Sequence, residues 1–148
     1  MGSRNRLRGA VGAAFATVAV AATLAGAQPA SAAPAYYSVG EYDNCNSGYT
    51  CLWYSNAKQG AGVGFYNDAW NFATIPSSYT FINNQSGSGQ NRTSGSNVTK
   101  LYNTAGGSGT ARCLRAGQYD SDFQNDSFYH VASALVWASS CGSVTVFR

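Results

Sequence analysis

Histidine and charge are what this chain has least of. Its 148 residues include one histidine, His130, and only 10% are Asp, Glu, Lys or Arg. The basic excess is local. Arg4, Arg6 and Arg8 account for the whole formal charge of +3; beyond residue 32, Lys58, Arg92, Lys100, Arg112, Arg115 and Arg148 are balanced by Glu41, Asp43, Asp68, Asp120, Asp122 and Asp126. Phosphate recognition needs clustered Lys and Arg, so neither nucleic acid nor an anionic membrane is an expected partner. Catalytic constellations are equally scarce: there is no His-Glu-x-x-His, Gly-x-Ser-x-Gly or phosphate-cradling glycine motif. His130 sits in the aromatic and apolar run from Ser127 to Ala132, which suits a packed or partly exposed ring better than a general base. Asp120, Asp122 and Asp126 form the only acidic cluster. Paired carboxylates can hydrolyse glycosides at a set separation, but this polar segment reads as a solvated loop. No enzyme is expected.

Long apolar runs are confined to the N-terminus. Three arginines precede an uncharged stretch from Gly9 to Ala27, and Ala30-Ser31-Ala32 places small residues where a signal peptidase reads. Residues 1–32 are therefore expected to be a secretory signal peptide, cleaved before Ala33. The uncharged stretch is just long enough to span a membrane. It is mostly alanine, however, and runs directly into the cleavage site, so no membrane anchor is expected after cleavage. About 116 residues remain of the 148, the size of one domain.

What the remaining chain has in abundance is aromatic. All three Trp, all ten Tyr and every Phe but Phe15 lie beyond residue 32. The four cysteines, Cys45, Cys51, Cys113 and Cys141, also lie there, where export permits oxidation. Four cysteines allow three pairings, and the short Cys45 to Cys51 gap favours a local bridge that leaves Cys113 with Cys141. In the chain-entropy model the two loops would contribute roughly 2 and 3.5 kcal/mol. The spacing does not suit zinc, and one histidine gives little help.

Beyond the N-terminus no window shows helical apolar periodicity, and leucine is rare: Leu52, Leu101, Leu114 and Leu135 are all there is. Short β-prone runs appear instead near Tyr36 to Tyr42, Cys51 to Ser55, Gly62 to Tyr66, Tyr79 to Ile82, Val98 to Tyr102, Ala111 to Leu114, Ala134 to Trp137 and Val144 to Phe147. That is about eight strands, with the turn spacing of a β-sandwich. Residues 33–43 read as a short N-terminal extension and 44–148 as a single domain. Between Asn83 and Asn97 there is no aliphatic or aromatic side chain, so this stretch is expected to be an exposed connection. It could act as a presented loop.

Two of the four leucines hold the same frame. Leu52-Trp53 to Gly60 and Leu101-Tyr102 to Gly109 repeat Leu-aromatic-x6-Gly at a displacement of 49 positions. The frame suits a strand, a folded-over turn and a second strand, with glycine taking a left-handed backbone angle. Lys58 and Gly107 stand two residues before each glycine, where a well-formed unit would carry an aromatic.

The run Cys45-Asn-Ser-Gly-Tyr-Thr-Cys51-Leu52-Trp53, continuing through Gly60, Ser77-Ser78-Tyr79 and Asn83-Asn84, resembles the secreted actinobacterial (Streptomyces) metalloproteinase-inhibitor family with a βγ-crystallin-like domain. Leu101, Tyr102, Gly109 and the Ser133 region match more loosely. The resemblance implies an all-β fold of two Greek-key motifs packed as a sandwich, and a monomeric inhibitor of an extracellular peptidase. Crystallin-type calcium sites use a paired Asn/Asp, two spacer residues and then Ser/Thr-Ser, because a hard cation needs oxygen ligands. Ala73 and Thr74 precede Ser77-Ser78, and Tyr129 and His130 precede Ser133, so neither calcium nor any other cofactor is expected. The family's second, closely spaced cysteine clamp is missing, and no reactive-site residue is carried over. Two alternatives stand beside inhibition. One is a binding module for cell-wall or environmental polysaccharide, using aromatics among Tyr36, Tyr37, Tyr42, Trp70 and Tyr119; the other is a structural or stress protein.

Overall fold

A computed structural model describes residues 35–148; the segment read as a signal peptide lies outside them. Nine strands form two sheets among the described residues: β1 Tyr36–Val39, β2 Thr50–Trp53, β3 Gly62–Phe65, β4 Ser88–Asn91, β5 Val98–Thr104, β6 Ser108–Leu114, β7 Tyr119–Asp120, β8 Ala134–Ala138 and β9 Thr145–Val146. One sheet runs β1-β3-β2-β4-β7 and the other β8-β5-β6-β9. The fold is the two-sheet, all-β arrangement expected.

The sheets are related by the repeat. Each half contributes a hairpin, β2–β3 or β5–β6, flanked by a later strand of the same half, β4 or β8. Each half then lends one short strand to its neighbour. β7, from the second half, pairs with β4; Ala69, from the first, bridges Leu135 on β8. Equivalent residues meet where the halves join: the Thr50 and Thr99 hydroxyls lie 2.5 Å apart. Asn84 N donates to Ala132 O and His130 N to Ser86 O, at 2.8 and 2.9 Å. Such reciprocity is what a duplicated unit folded on its copy should produce.

Alternation sorts the strand residues onto two sides. Leu52, Val63, Phe65, Leu101, Leu114 and Leu135 point between the sheets, where Phe72, Ile82, Phe123, Phe128 and Phe147 fill the space. Both frame leucines are fully buried there. At roughly 25 cal/mol per Å² of apolar surface, each large side chain contributes about 2 kcal/mol. The opposite side of the first sheet carries a second small core of Val39, Cys45, Tyr49, Cys51 and Trp53, with Tyr37 against it. Glycine on β3 makes room for it: a Cβ on Gly64 would stand 1.9 Å from the Tyr37 ring, and one on Gly62 2.8 Å from Trp53.

Three expectations are corrected. Residues 83–97 are not an exposed connection throughout: Ser88–Asn91 form β4, a central strand, with Ser88 and Asn91 fully buried. Polar bonding achieves this where apolar side chains are lacking. Asn91 donates to Leu114 O and Asn97 O and accepts from the Thr93 N–H and hydroxyl, while Gly89 admits Phe123, Leu114 and Leu52 against the backbone. Tyr79 to Ile82 is not a strand; Ser77–Ile82 is a 3-10 helix entered from Pro76, with Tyr79 N bonded to Pro76 O. The acidic cluster is not a wholly solvated loop either. Asp120 and Asp126 are 2% and 6% exposed, the first because β7 is drawn into the opposite sheet. The remaining seven runs hold strands within a few residues of their expected limits, and Tyr36–Val39, read as extension, is the edge strand β1.

Candidate functional site

Cys45–Cys51 and Cys113–Cys141 are both bonded, as the spacing suggested. The first bridge anchors a closely restrained, exposed loop from Gly40 to Gly48. Its outer residues Glu41, Tyr42, Asp43 and Asn44 are exposed, whereas Cys45 is buried in the second core. Scaffold bonds hold it on every side. Trp53 Nε1 donates to Gly40 O (3.1 Å), Tyr42 N to Lys58 O (2.9 Å), Lys58 Nζ to Asn44 Oδ1 (3.0 Å) and Asn46 N to the Tyr37 hydroxyl (2.7 Å). Arg92 Nη1 donates to Cys45 O and Gly48 N to Arg92 O.

Tyr42 stands at the apex. Asp43 N bonds Gly40 O, making Tyr42 the third residue of a four-residue turn, with φ of 60° and 63% of its surface exposed. Glycine or asparagine is the usual occupant of a left-handed turn position, and other residues cost about 1 to 2 kcal/mol there. A strained side chain that buries little contributes nothing evident to folding. Strain of this kind concentrates at functional sites.

The first of the two repeated turns lies beside this loop. Ala57, Lys58 and Gly60 are left-handed in the first copy, and Gly106, Gly107 and Gly109 at the same spacing in the second. Ala57 N donates to Ser121 O and Gly106 N to Trp70 O, so each turn is tied to the strand lent by the other half. That strand also supplies the missing aromatic. Tyr119 lies 4.9 Å from Lys58 Nζ, with Trp53 at 5.4 Å, and the Trp70 ring covers Gly107. Burial against these rings, and secondarily Arg92, lowers the Lys58 ammonium pKa. Trp53 is fully buried, whereas its counterpart Tyr102 is half-buried on the outer side of β5.

The remaining candidates fall into structural roles. His130 Nε2 lies 3.0 Å from Tyr54 O and its ring stacks on Tyr129, which leaves it poorly placed as a base. Asp122 Oδ1 accepts from Gln124 N, and Asp120 Oδ1 from Asp122 N. Tyr36 and Tyr37 are packed against Phe65 and Tyr49 rather than presented, whereas Tyr42, Trp70 and Tyr119 are exposed. No cavity capable of enclosing a small molecule is found among the described residues.

The calcium register of the first half also needs correction. Ser77 and Ser78 lie in the 3-10 helix; the reciprocal bonds instead make Asn83–Ser88 the counterpart of Tyr129–Ala134. That segment has the Asn-Asn pair but Gly87 at the first serine position. Neither loop contains a carboxylate. Asn84 Oδ1 accepts from Ser133 Oγ (2.6 Å), and Ser88 Oγ donates to Ser55 O and accepts from Lys58 N. The Asn84 and Ser133 oxygens join the halves and Ser88 Oγ is bonded within the first, and with no carboxylate in either loop the donor set is a poor fit to a hard cation. Among the described residues no group of three His, Cys, Asp or Glu could hold a metal ion.

No family model matches the chain, and no curated protein matches its sequence. Solved structures do match. A domain solved to trace the evolution of the eye-lens βγ-crystallin fold superposes with a TM-score of 0.59 at 12% identity, over 70% of this chain and 96% of that one. The fold is βγ-crystallin-like. Spherulin 3A from Physarum polycephalum matches at 14% identity over 67% of this chain and 90% of its own, with a TM-score of 0.50. A double-mutant βγ-crystallin domain from Clostridium beijerinckii gives 13%, 62%, 98% and 0.50. In this βγ-crystallin-like domain the loop from Gly40 to Gly48, with Tyr42 at its apex, is the strongest candidate for contact with a partner.

Proposed function

We propose that the protein is a secreted, non-catalytic inhibitor of an extracellular peptidase, specifically a metalloproteinase, and that the Gly40–Gly48 loop makes the contact. The observation that carries this reading is Tyr42, a bulky exposed side chain held left-handed at the apex of an immobilised turn. Inhibition favours a loop ordered before binding, because the entropy of ordering is not then charged to the complex. Here the Cys45–Cys51 bridge and the bonds from Trp53, Lys58, Arg92 and Tyr37 provide that order without a second closely spaced clamp. The Cys45 to Trp53 run that resembles the inhibitor family forms the base of the same loop. Export is supported by the N-terminal segment and the two disulfides. Among the six non-glycine residues at positive φ, Tyr42 is the large apolar side chain left exposed.

The test is titration of the exported chain into thermolysin-like, subtilisin-like and trypsin-like peptidases at limiting enzyme. Stoichiometric loss of thermolysin-like activity is expected. Full activity of all three at large excess of the protein would defeat the proposal.

A further inference from the structure

The two halves present equivalent outer faces, covered differently. Over the first, the Gly40–Gly48 loop and Tyr37 close on Cys51 and Trp53. Over the second, Lys100 and Tyr102 occupy the matching positions on β5 and remain half-buried. Trp70 borders this second face. It follows Ala69, which bridges Leu135, so it stands opposite Ala134; Ala134 pairs with Tyr102, and Tyr102 with Ala111. Partners in register share a face. Trp70 and Tyr102 are therefore rooted roughly 10 Å apart on one face, two strand spacings, with the fully buried Ala134 between them.

The Trp70 ring is seated rather than loose. Its backbone oxygen accepts from Gly106 N, and a Cβ on Gly107 would lie 2.6 Å from the ring and 3.5 Å from Val136. Yet 51% of Trp70 is exposed. Lys100 and Val136 pair in the next row, Asp68 is tied to β8 through Trp137 N, and Asn103 is exposed at the end of β5.

We propose that this face binds an uncharged polysaccharide, with Trp70 stacking on the apolar side of one pyranose ring and Tyr102 on another, and with the rim side chains bonding hydroxyl groups. A planar ring fixed in advance needs little ordering to bind. A face without a cavity suits a polymer, and the charge balance beyond residue 32 suits a neutral one. A protein partner fits less well. A stable protein interface buries about 800 Å² on each side, more than one exposed Trp and its half-buried neighbours offer. The site is separate from the peptidase loop, so the two readings can fail independently.

The experiment measures depletion of the exported chain from solution by insoluble cellulose, chitin and peptidoglycan, whose separate arms identify the polymer. Retention on at least one is expected, weakened roughly tenfold or more by Trp70→Ala, partly restored in Trp70→Tyr, and unchanged in Tyr42→Gly. Unaltered retention in a Trp70→Ala protein that melts like the parent would overturn the proposal. So would no retention on any polymer, whether or not the chain self-associates in sedimentation. If Trp70→Ala fails to fold, Trp70→Tyr decides: retention equal to the parent counts against stacking by the indole, and reduced retention supports it.

Discussion

Asp120 makes stability depend on pH in a direction opposite to that of most carboxylates. Its side chain is 2% exposed; Oδ1 accepts the Asp122 N–H, while Oδ2 is enclosed and receives no hydrogen bond, with the Asp126 carboxyl placed to share one when Asp120 is protonated. Burial raises the carboxyl pKa, and the neighbouring charges of Asp126 and Asp122 add to this, against the Asp122 N–H that lowers it. A carboxyl whose folded pKa lies above its unfolded value binds its proton more tightly in the folded state. Its stabilising contribution is complete below the unfolded value, near 3.9, and is lost as pH rises through the folded one. Above that folded value the ionised group therefore sits in the domain with one oxygen unsatisfied, at a cost of about 1 to 3 kcal/mol. Asp120→Asn keeps the Asp122 N–H bond to its oxygen and offers an amide to the Asp126 carboxylate. We expect it to gain about 1.5 kcal/mol at pH 7, an upward shift of roughly 5 to 10 °C in Tm, and nothing at pH 3, where the parent is already neutral. Thermal melts of both proteins at the two pH values test this. A lower Tm for Asp120→Asn at pH 7, or the same difference at both values, would refute the reasoning.

Three further outcomes follow from packing and bonding. Gly64→Ala should cost about 2 to 3 kcal/mol in urea melts, because the new methyl group falls on the Tyr37 ring and opens the second core. Asn91→Ala should cost about 3 kcal/mol by the same measure, since it leaves Leu114 O and the Thr93 N–H without their side-chain partner deep in the sheet. Replacing Cys113 and Cys141 by serine should lower stability by about 3.5 kcal/mol, and replacing Cys45 and Cys51 by about 2, following loop length.

What could be read from the amino acids was whatever announces itself through apolar alternation or a repeated frame. The hairpins β2–β3 and β5–β6, the buried Leu52 and Leu101 and the left-handed Gly60 and Gly109 belong to that class. Central strand β4 does not, because Ser88-Gly89-Gln90-Asn91 is buried by hydrogen bonds and by rings pressed against glycine, neither of which leaves a hydrophobic signature. The lent strands are too short to stand out: β7 is two residues and the Ala69 bridge one, and both exist only because the other half is there to receive them. The restrained loop was hidden for a related reason. Its rigidity comes from Lys58, Gln90 and Arg92, residues remote in the chain, and a positive φ at Tyr42 has no mark in the sequence.

Tyr42 also separates function from folding more sharply than any other residue. Glycine in its place relieves the left-handed strain, so Tyr42→Gly should be at least as stable as the parent, by up to about 1 kcal/mol. The decisive measurement is the inhibition constant of parent and Tyr42→Gly against a thermolysin-like metalloproteinase, with Tm recorded for both. The account predicts tight inhibition by the parent and at least a tenfold loss in a Tyr42→Gly protein whose Tm is equal or higher. Equal inhibition by the two, or none by either, would contradict it.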